Sequence, residues 1–425
     1  MLSTLRNAWK VPEIRKKFIW TILLVAIFRM GTKIPVPGID TDVFKTMTEN
    51  SGLFGFYDLI SGGAFSQFSI LALGVTPYIN ASIIMQLLTI AVPSLEQIQK
   101  EGQEGRKKIQ NATRYVSLVI AAILAIGVLA RISSTGAGVD VTLFQKAVII
   151  ITLIVGSTFC IWLGDQITVK GFGNGTSILI FINIVSRVPS LVNTMYTSLK
   201  GDEITVVELT LFAVGALVLL GLAIFFSLAE RRIPVQYAGK AVGNRVTKAQ
   251  STHIPLSIIS AAVIAIIFAM SVMGFTEALG QFFPNNDTIQ WLNTGTYSIF
   301  NKKTWMYPVV YAILTVFFTW FYNEITLKPD EMAENLNKSS GFVPGIRPGE
   351  DTTRFFEKVL AKVSIIGGVF AALLAVLPVI IENTGKFNQI SFGATAFLIV
   401  IGVSLDFSRR LESQMVMRHY EGFLK

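Results

Sequence analysis

Side chains that commonly bind metals or carry out catalysis are scarce in this sequence. It contains two histidines, His253 and His419, which lie far apart, and one cysteine, Cys160. A zinc site needs several ligands close together, a disulfide needs a second cysteine, and a catalytic triad needs a histidine beside its nucleophile. We therefore predict no metal site, no cofactor, no intramolecular disulfide and no catalytic residues.

Nucleotide chemistry is not indicated either. The phosphate-binding motif Gly-x-x-x-x-Gly-Lys-Ser/Thr does not occur in the sequence. The stretch Gly171-Phe-Gly-Asn-Gly175 is rich in glycine, but it follows a long apolar run rather than a strand. We interpret it as a tight turn that precedes the next helix.

Ionisable residues lie near the ends of the apolar runs rather than in their middles. They are Arg29, Arg131, Lys146, Arg187, Glu208 and Asp406. Charged groups in the middle of a membrane span usually mark proton or ion relays. The pattern therefore argues against an ion-coupled pump and leaves a passive conduit, or a machine whose energy comes from a partner.

The composition predicts an all-α polytopic membrane protein. Of the 425 residues, 52% are hydrophobic and 15% are charged, against about 25% charged in soluble domains. A spanning helix needs about 20 apolar residues, and the charge-free runs predict ten spans. They begin near Phe18 and Gly74 and continue over residues 115–130, 147–164, 175–186, 209–229, 254–276, 304–323, 363–381 and 387–405.

The basic residues predict the orientation of these spans. With a cytoplasmic N-terminus, 26 of the 36 Lys and Arg residues fall in inner segments, so the positive-inside rule puts both termini in the cytoplasm. The spans divide into two halves of five, a recurrent device in transport folds. We predict a cytoplasmic segment 1–17, halves 18–200 and 201–408, long inner loops 230–251 and 328–357, and a cytoplasmic tail 409–425.

One uncharged stretch is too long for a single span. Between Asp58 and Glu96 lie 37 residues without a charge, and the surplus at its start contains Ser61, Gly62 and Gly63. Non-helical backbone persists at membrane depth only where protein or a water-filled cavity satisfies its polar groups. We therefore predict a re-entrant segment before the second span, with one long tilted helix and a loose lead-in as the alternative.

Both long inner loops are candidates for docking. Loop 230–251 carries the basic residues Arg231, Arg232, Lys240, Arg245 and Lys248. In the other loop, prolines and glycines over residues 341–350 predict a stiff turn with Arg347 at its tip. Such a turn is either a docking surface or an ordinary loop whose prolines and glycines prevent a helix, and the residues alone leave both possibilities open.

Several motifs together resemble the bacterial SecY family of protein-conducting channels. They are Ile34-Pro-Val-Pro-Gly-Ile39, the segment 74–89, Glu101-Gly-Gln-Glu-Gly-Arg-Lys107, Gln250-Ser-Thr-His-Ile-Pro-Leu256 at the opening of the seventh span, and the segment 342–350. They occur in order along nearly the whole chain. The resemblance implies two pseudo-symmetric halves of five helices around a central pore. It also implies a plug helix over about 54–69, which includes Phe54, Gly62, Gly63, Phe65 and Ser66.

The resemblance further implies a pore ring of apolar side chains from four spans. The matching positions are Ile79, Ile83, Ile180, Ile184, Ile267 and Ile399. Residues four apart lie on one helix face, and isoleucine is stiff at χ1 and offers water no hydrogen-bonding partner. Such a ring resists wetting and therefore resists ions.

A lateral gate and several partners follow from the same resemblance. Gln86 and Thr89 would lie in a gate through which signal sequences and apolar segments reach membrane lipid, or else would bond within the helix bundle. The family often has proline in the seventh span where this chain has residues 262–265, so the gate geometry here is an open question. Arg347, and then Arg231, Arg232, Arg245 and Lys248, would receive the ribosome or the SecA ATPase, and SecE and SecG would be membrane partners.

The sequence thus predicts a channel in the bacterial inner (plasma) membrane that passes unfolded polypeptides and is driven by a partner. The alternative is a secondary transporter with inverted repeats, which needs a polar site in mid-membrane. A membrane scaffold that only anchors cytosolic proteins is a third possibility.

Overall fold

The computed structural model describes most of the chain and is largely helical. The described residues are 9, 11–37, 58, 61–134, 142–201, 204–237, 241–242, 245–246, 250–257, 262–282, 286–295, 297–301, 304–383 and 394–423. The helices are α1 (Pro12–Gly31), α2 (Thr76–Ala91), α3 (Pro93–Lys100), α4 (Gln103–Ser134), α5 (Leu143–Lys170), α6 (Gly175–Lys200), α7 (Val206–Leu228), α8 (Ala262–Phe282), α9 (Asp287–Thr294), α10 (Met306–Leu327), α11 (Pro329–Lys338), α12 (Glu350–Asn383) and α13 (Ala394–Phe423). The strands are β1 (Glu230–Tyr237), β2 (Ala241–Val242), β3 (Arg245–Val246), β4 (Gln250–Ser257) and β5 (Gly341–Phe342).

Every predicted span overlaps one of these helices. Within the described residues, six helical segments are long and apolar enough to cross a membrane: α4, α5, α6, α7, α10 extended into α11, and α12. Helices α2 and α3 are separated by a bend of 101° and supply a seventh span if they are taken together. The polytopic all-α architecture is confirmed, and the count of ten spans stays a prediction.

Several helix starts are encoded by local sequence signals. Thr142 and Gln145 form a capping box at the start of α5, and Thr205 and Glu208 form another at the start of α7. In such a box, each side chain accepts a hydrogen bond from a backbone N–H that has no partner inside the helix. Proline in the first turn begins α1, α2, α3 and α11, where its missing N–H costs nothing.

The chain divides into two compact units. Unit 1 contains Met1–Thr197, Gly274–Asn293 and Gly402–Lys425, and unit 2 contains Ser198–Met273 and Thr294–Ile401. The predicted boundary between the halves, near residue 200, stays a prediction.

The core of unit 1 is built around residues 61–75, which we call the buried turn segment. Phe65 and Phe68 of this segment pack with residues of α4 and α5 in one hydrophobic cluster. Leu71 and Val75 pack with residues of α1, α5 and α6 in a second cluster. A stretch without regular secondary structure therefore lies where four apolar helices meet.

In unit 2, helix α10 buries a polar stripe against its neighbours. Its buried residues are Tyr307, Tyr311, Thr315, Thr319 and Asn323, spaced four apart. The two threonine hydroxyls donate to carbonyls of the preceding turn, and Asn323 Nδ2 donates to Ser364 Oγ of α12 at 2.9 Å. A Cβ added at Gly368 of α12 would lie 3.1 Å from Val316 Cα. Small and hydroxyl-bearing residues thus allow these two helices to approach closely, as is common in membranes.

The segment predicted to open the seventh span is a strand. Residues Gln250–Ser257 form β4, which pairs antiparallel with β1, and the described helix α8 begins at Ala262. Leu256 is buried and Ile254 half-buried, whereas Pro255 between them is exposed. That alternation is typical of a strand with one covered face. The prediction that the helix begins at residue 254 is therefore wrong, because it relied only on the absence of charged residues.

We expect Gly156→Ala to destabilise unit 1. A Cβ at Gly156 of α5 would overlap the carbonyl oxygen of Ile70 in the buried turn segment, and overpacking typically costs about 1–3 kcal/mol. The apparent melting temperature of the purified protein in detergent should fall. Gly215→Ala on α7 is the matched control, because a Cβ there meets nothing within 4 Å. Equal melting temperatures for the two variants would contradict the close approach.

Candidate functional site

The buried turn segment begins where a helix is broken by two glycines. Ser61 is the last helical residue, and Gly62 and Gly63 have φ angles of 69° and 85°. These left-handed conformations suit glycine because it lacks a Cβ. At Gly62 a Cβ would also lie 2.7 Å from Asn183 Oδ1 of α6, so the backbone lies directly against that helix.

The backbone polar groups of this segment find partners inside unit 1. Val36 N–H donates to the carbonyl of Phe68 at 2.9 Å, and Ile70 N–H donates to the carbonyl of Ile34 at 2.9 Å. Ser157 Oγ of α5 donates to the carbonyl of Gly74 at 3.1 Å. These bonds replace the helical ladder, which is the requirement for non-helical backbone at membrane depth.

A buried ion pair fastens the start of the segment to α6. One carboxylate oxygen of Asp58 lies 2.7 Å from Arg187 Nη1, and the Asp58 side chain is 3% exposed. The other carboxylate oxygen accepts the N–H of Ser66 at 2.7 Å. Arg29 Nη1 of α1 donates, at 3.4 Å each, to the carbonyl of Gly62 and to Asn183 Oδ1. Three elements of unit 1 therefore meet at this polar cluster.

Four of the five predicted plug residues lie in the buried turn segment. They are Gly62, Gly63, Phe65 and Ser66, whereas Phe54 lies outside the described residues. The helix predicted over 54–69 ends at Ser61 within the described part, and turns follow it. Sequence reasoning identified the surplus stretch but missed the Asp58–Arg187 pair. The available signal was an arginine that interrupts the apolar part of α6.

Four of the six predicted pore-ring isoleucines belong to unit 1. Ile79 of α2 and Ile180 of α6 are half-buried and pack against the same hydrophobic cluster. Ile83 is 9% exposed and Ile184 is 0% exposed. Ile267 and Ile399 belong to unit 2, where Ile267 is half-buried on α8 and Ile399 is buried on α13. The ring itself stays a prediction.

The two predicted gate residues bond within their own helix. Gln86 is exposed and its Nε2 donates to Ser82 Oγ at 3.2 Å. Thr89 is buried and its hydroxyl donates to the carbonyl of Met85 at 2.6 Å. These bonds correspond to the alternative in which both residues pair inside the bundle, and their role in a gate stays a prediction.

The described parts of the two long loops predicted to be cytoplasmic fold together into what we call the platform. Strands β4, β1 and β5 form a three-stranded sheet in the described part of these loops. The sheet packs on α11 and the first turns of α12 through a hydrophobic core. Its buried members are Ile233, Val235, Leu256, Ala333, Leu336, Val343, Phe356 and Leu360. The sequence predicts the loops as two separate segments, because strand pairing between residues about 105 positions apart leaves no local signal.

The predicted docking residues lie on or beside this platform. Arg231 and Arg232 are exposed on β1, and Arg232 Nε lies 2.7 Å from Glu230 Oε1. Arg347 is exposed on the turn after β5, and its carbonyl accepts the hydroxyl of Thr352 at 2.8 Å. Gly345 and Gly349 flank it with φ angles of 84° and 106°. Arg245 lies in β3 but its side chain is not described, and Lys248 lies outside the described residues.

Comparison with known proteins identifies the family. The SecY family model matches residues 69–408. The protein translocase subunit SecY of Thermotoga maritima is 40% identical over 436 residues, which cover 100% of this chain and 98% of that protein. The chain belongs to the SecY family. It is therefore a multi-pass membrane protein related over its whole length to translocase subunits.

Solved structures of channels share the fold of this SecY-family chain. A structure of a protein-conducting channel superposes with a TM-score of 0.68 at 18% identity, and the match covers 97% of each chain. Sec61 in the canine ribosome–channel complex of the endoplasmic reticulum gives a TM-score of 0.65 at 18% identity and the same coverage. At this identity the likeness shows that the folds are the same.

We expect Phe356→Ala to unfold the platform. Phe356 is fully buried in its core, and truncating such a phenylalanine costs about 3–5 kcal/mol. Limited proteolysis of the protein in detergent should then cut within residues 230–257 and 328–350 faster than in the unaltered chain. Arg354→Ala is the control, because Arg354 forms an exposed pair with Glu350. Unchanged cleavage in Phe356→Ala would show that the sheet and α12 do not support each other.

Proposed function

We propose that this chain is the channel subunit of a protein translocase. It passes unfolded secretory polypeptides across the membrane and releases transmembrane segments laterally into lipid. The observation that carries the proposal is the buried turn segment, a hydrogen-bonded non-helical stretch among apolar helices of unit 1. Non-helical backbone persists at membrane depth only where it is buried in protein or lines a water-filled cavity. The segment is buried here, which supports a role in closing a passage, and membership of the SecY family supports polypeptides as the cargo.

In this proposal, six isoleucines form the seal of the channel and the segment from about 54 to 69 acts as its plug. Isoleucine side chains form no hydrogen bonds with water and only weak contacts with each other. A ring of them therefore excludes water, and an extended polypeptide can still push the side chains apart. Gln86 and Thr89 line the wall through which a signal sequence passes into lipid.

The energy for transport comes from outside the chain. We infer that the chain has no catalytic residues and that the SecA ATPase or the translating ribosome drives the polypeptide. The platform is the docking surface, with Arg347 as its principal contact. An arginine on a stiff turn binds a carboxylate or phosphate with little loss of conformational entropy. Ribosome-bound Sec61 is one related case among the solved structures.

We further infer the setting of the channel. The chain lies in the bacterial plasma membrane with both termini in the cytoplasm, as the distribution of basic residues predicts. SecE and SecG are its small membrane partners, and the signal sequence of the cargo is its ligand. Co-purification of a SecE-like protein in mild detergent supports this assignment, and its absence would contradict it.

The seal is tested with Ile83→Asn and Ile399→Asn. An amide in the ring binds water, so the ion conductance of the channel in planar bilayers should rise severalfold. Ile84→Asn is the matched control for the first variant, because Ile84 is adjacent on α2 but exposed.

Vesicles with the unaltered chain, SecE, SecG, SecA and ATP should import a signal-bearing precursor. Absence of import would overturn the proposed function, and equal conductance of all variants would overturn the seal.

Docking is tested with Arg347→Glu. The reversed charge repels the carboxylate or phosphate of the partner, so SecA-driven import should lose most of its rate while the chain still inserts into the membrane. Lys100→Glu is the control, since Lys100 is an exposed residue of α3, outside the platform, that pairs with Glu96. Normal import with Arg347→Glu would remove the docking role of this residue.

A further inference from the structure

Helix α10 has two faces with opposite surroundings. One face is the buried polar stripe from Tyr307 to Asn323. On the other, Val309, Ile313 and Phe317 are 47%, 63% and 49% exposed. Residues four apart share one helix face, so these three form an exposed apolar stripe. Because α10, extended into α11, is long and apolar enough to cross a membrane, this stripe is where the helix contacts lipid tails.

Trp305 extends the apolar stripe beyond the start of α10. It directly precedes Met306, the first residue of the helix, and its own backbone is already helical, with φ −62° and ψ −20°. Since Trp305 lies four residues before Val309, its side chain continues the same face. The Trp305 side chain is 73% exposed. An indole combines a large apolar body with one N–H donor, so the stripe ends in a group that suits both lipid and water.

The connection that leads into α10 is held by its own hydrogen bonds and exposes a second amphipathic ring. Asn301 Nδ2 donates to the carbonyls of Thr294 and Gly295 at 3.1 and 3.0 Å. The carbonyl of Asn301 in turn accepts the N–H of Thr304 at 3.0 Å. Tyr297 lies inside this bonded connection, and its side chain is 81% exposed. The phenol is therefore presented outward by backbone that is fixed on both sides of it.

The platform treats large apolar side chains differently. Its described side chains at 230–237, 252–257 and 328–349 include no exposed isoleucine, leucine, valine, methionine, phenylalanine, tryptophan or tyrosine. Where this chain folds into a surface proposed to face the cytoplasm, it thus covers such groups. Tyr297 and Trp305 are exposed at one end of a lipid-facing stripe instead. Tryptophan and tyrosine are the residues that collect at the boundary between membrane and water.

We propose that Tyr297 and Trp305 bind the lipid headgroup layer and anchor the end of the membrane part of unit 2 at which α10 begins. The apolar bodies of the two rings contact the acyl chains that line the stripe. The phenol hydroxyl and the indole N–H donate to phosphate or ester oxygens of a glycerophospholipid. The partner of this surface is therefore lipid rather than protein. The inference goes beyond the proposed function, because it does not depend on which cargo the channel carries.

The depth of the two positions is tested with spin labels. The full chain, with the small subunits that co-purify with it, is reconstituted into vesicles of phosphatidylethanolamine and phosphatidylglycerol. Tyr297→Cys and Trp305→Cys each carry a nitroxide, and the unaltered chain is the labelling blank because Cys160 is buried. Collisions of each label are measured with oxygen, which concentrates in the membrane, and with a water-soluble nickel chelate.

Two reference positions calibrate this measurement. Ile313→Cys reports the hydrocarbon interior, and Lys338→Cys reports water, since Lys338 is an exposed platform residue. We expect nickel collisions at Tyr297→Cys and Trp305→Cys to be severalfold fewer than at Lys338→Cys and severalfold more than at Ile313→Cys. Both replaced side chains are largely exposed, so neither substitution removes packing from the core.

The native indole is tested by fluorescence, because a label replaces the ring that it reports on. Trp305→Phe removes one of six tryptophans, so the difference in emission between the unaltered chain and this variant belongs to Trp305. Bromine quenches an indole that it contacts. Lipids brominated close to the glycerol should quench the difference severalfold more than lipids brominated near the ends of their chains.

Each contrary outcome overturns the anchor in a different way. Nickel collisions equal to those of Lys338→Cys would show that the surface faces water. Labels shielded from both reagents would show that protein covers it, and stronger quenching by bromine at the chain ends would place the indole in the hydrocarbon. None of these measurements involves cargo, so the proposed function would stand after any of them.

Discussion

The structure depends on one constraint: a backbone N–H or C=O placed among apolar helices must find its hydrogen-bonding partner within the protein. Most of the chain meets this requirement by being helical. The buried turn segment meets it with a short antiparallel pairing to residues 34–36, turns of its own, and the serine hydroxyl of Ser157. Because these bonds come from several helices, the segment is held in place by its surroundings rather than by its own local structure.

The same constraint explains where glycine and polar side chains lie. Gly156 lets α5 approach the carbonyl of Ile70, and Gly62 lets the turn lie against Asn183. In unit 2 the buried face of α10 is lined with hydroxyls that bond back to their own helix, and Asn323 bonds to Ser364 across to α12. In a membrane, the apolar surface of a helix contacts lipid about as favourably as it contacts another helix. Close backbone approach and hydrogen bonds therefore determine which helix faces pack together.

The sequence predicted those features that local composition determines. Apolar runs of sufficient length must be helical in a membrane, so helices could be predicted there. An uncharged run too long for one span favoured a re-entrant segment over one long tilted helix. Pairing between distant residues leaves no such signal. Arg187 could be interpreted as a side chain that reaches the membrane surface, and nothing nearby indicated Asp58 as its partner. Strand β4 was mistaken for the start of a helix because its partner β1 lies some 20 residues earlier and the platform core includes residues from α11 and α12.

Helix α12 connects the platform to the membrane part of unit 2 without a break. It runs from Glu350 to Asn383; its first turns supply Phe356 and Leu360 to the platform core, and Ser364 and Gly368 contact α10 further along. A helix of this length is stiff because each turn is bonded to the next. The turn that carries Arg347 joins α12 directly, with Thr352 bonded to the carbonyl of Arg347. A partner that binds this turn would therefore push or pull directly on α12 and on α10, which packs against it. No flexible linker separates the docking turn from these two membrane helices.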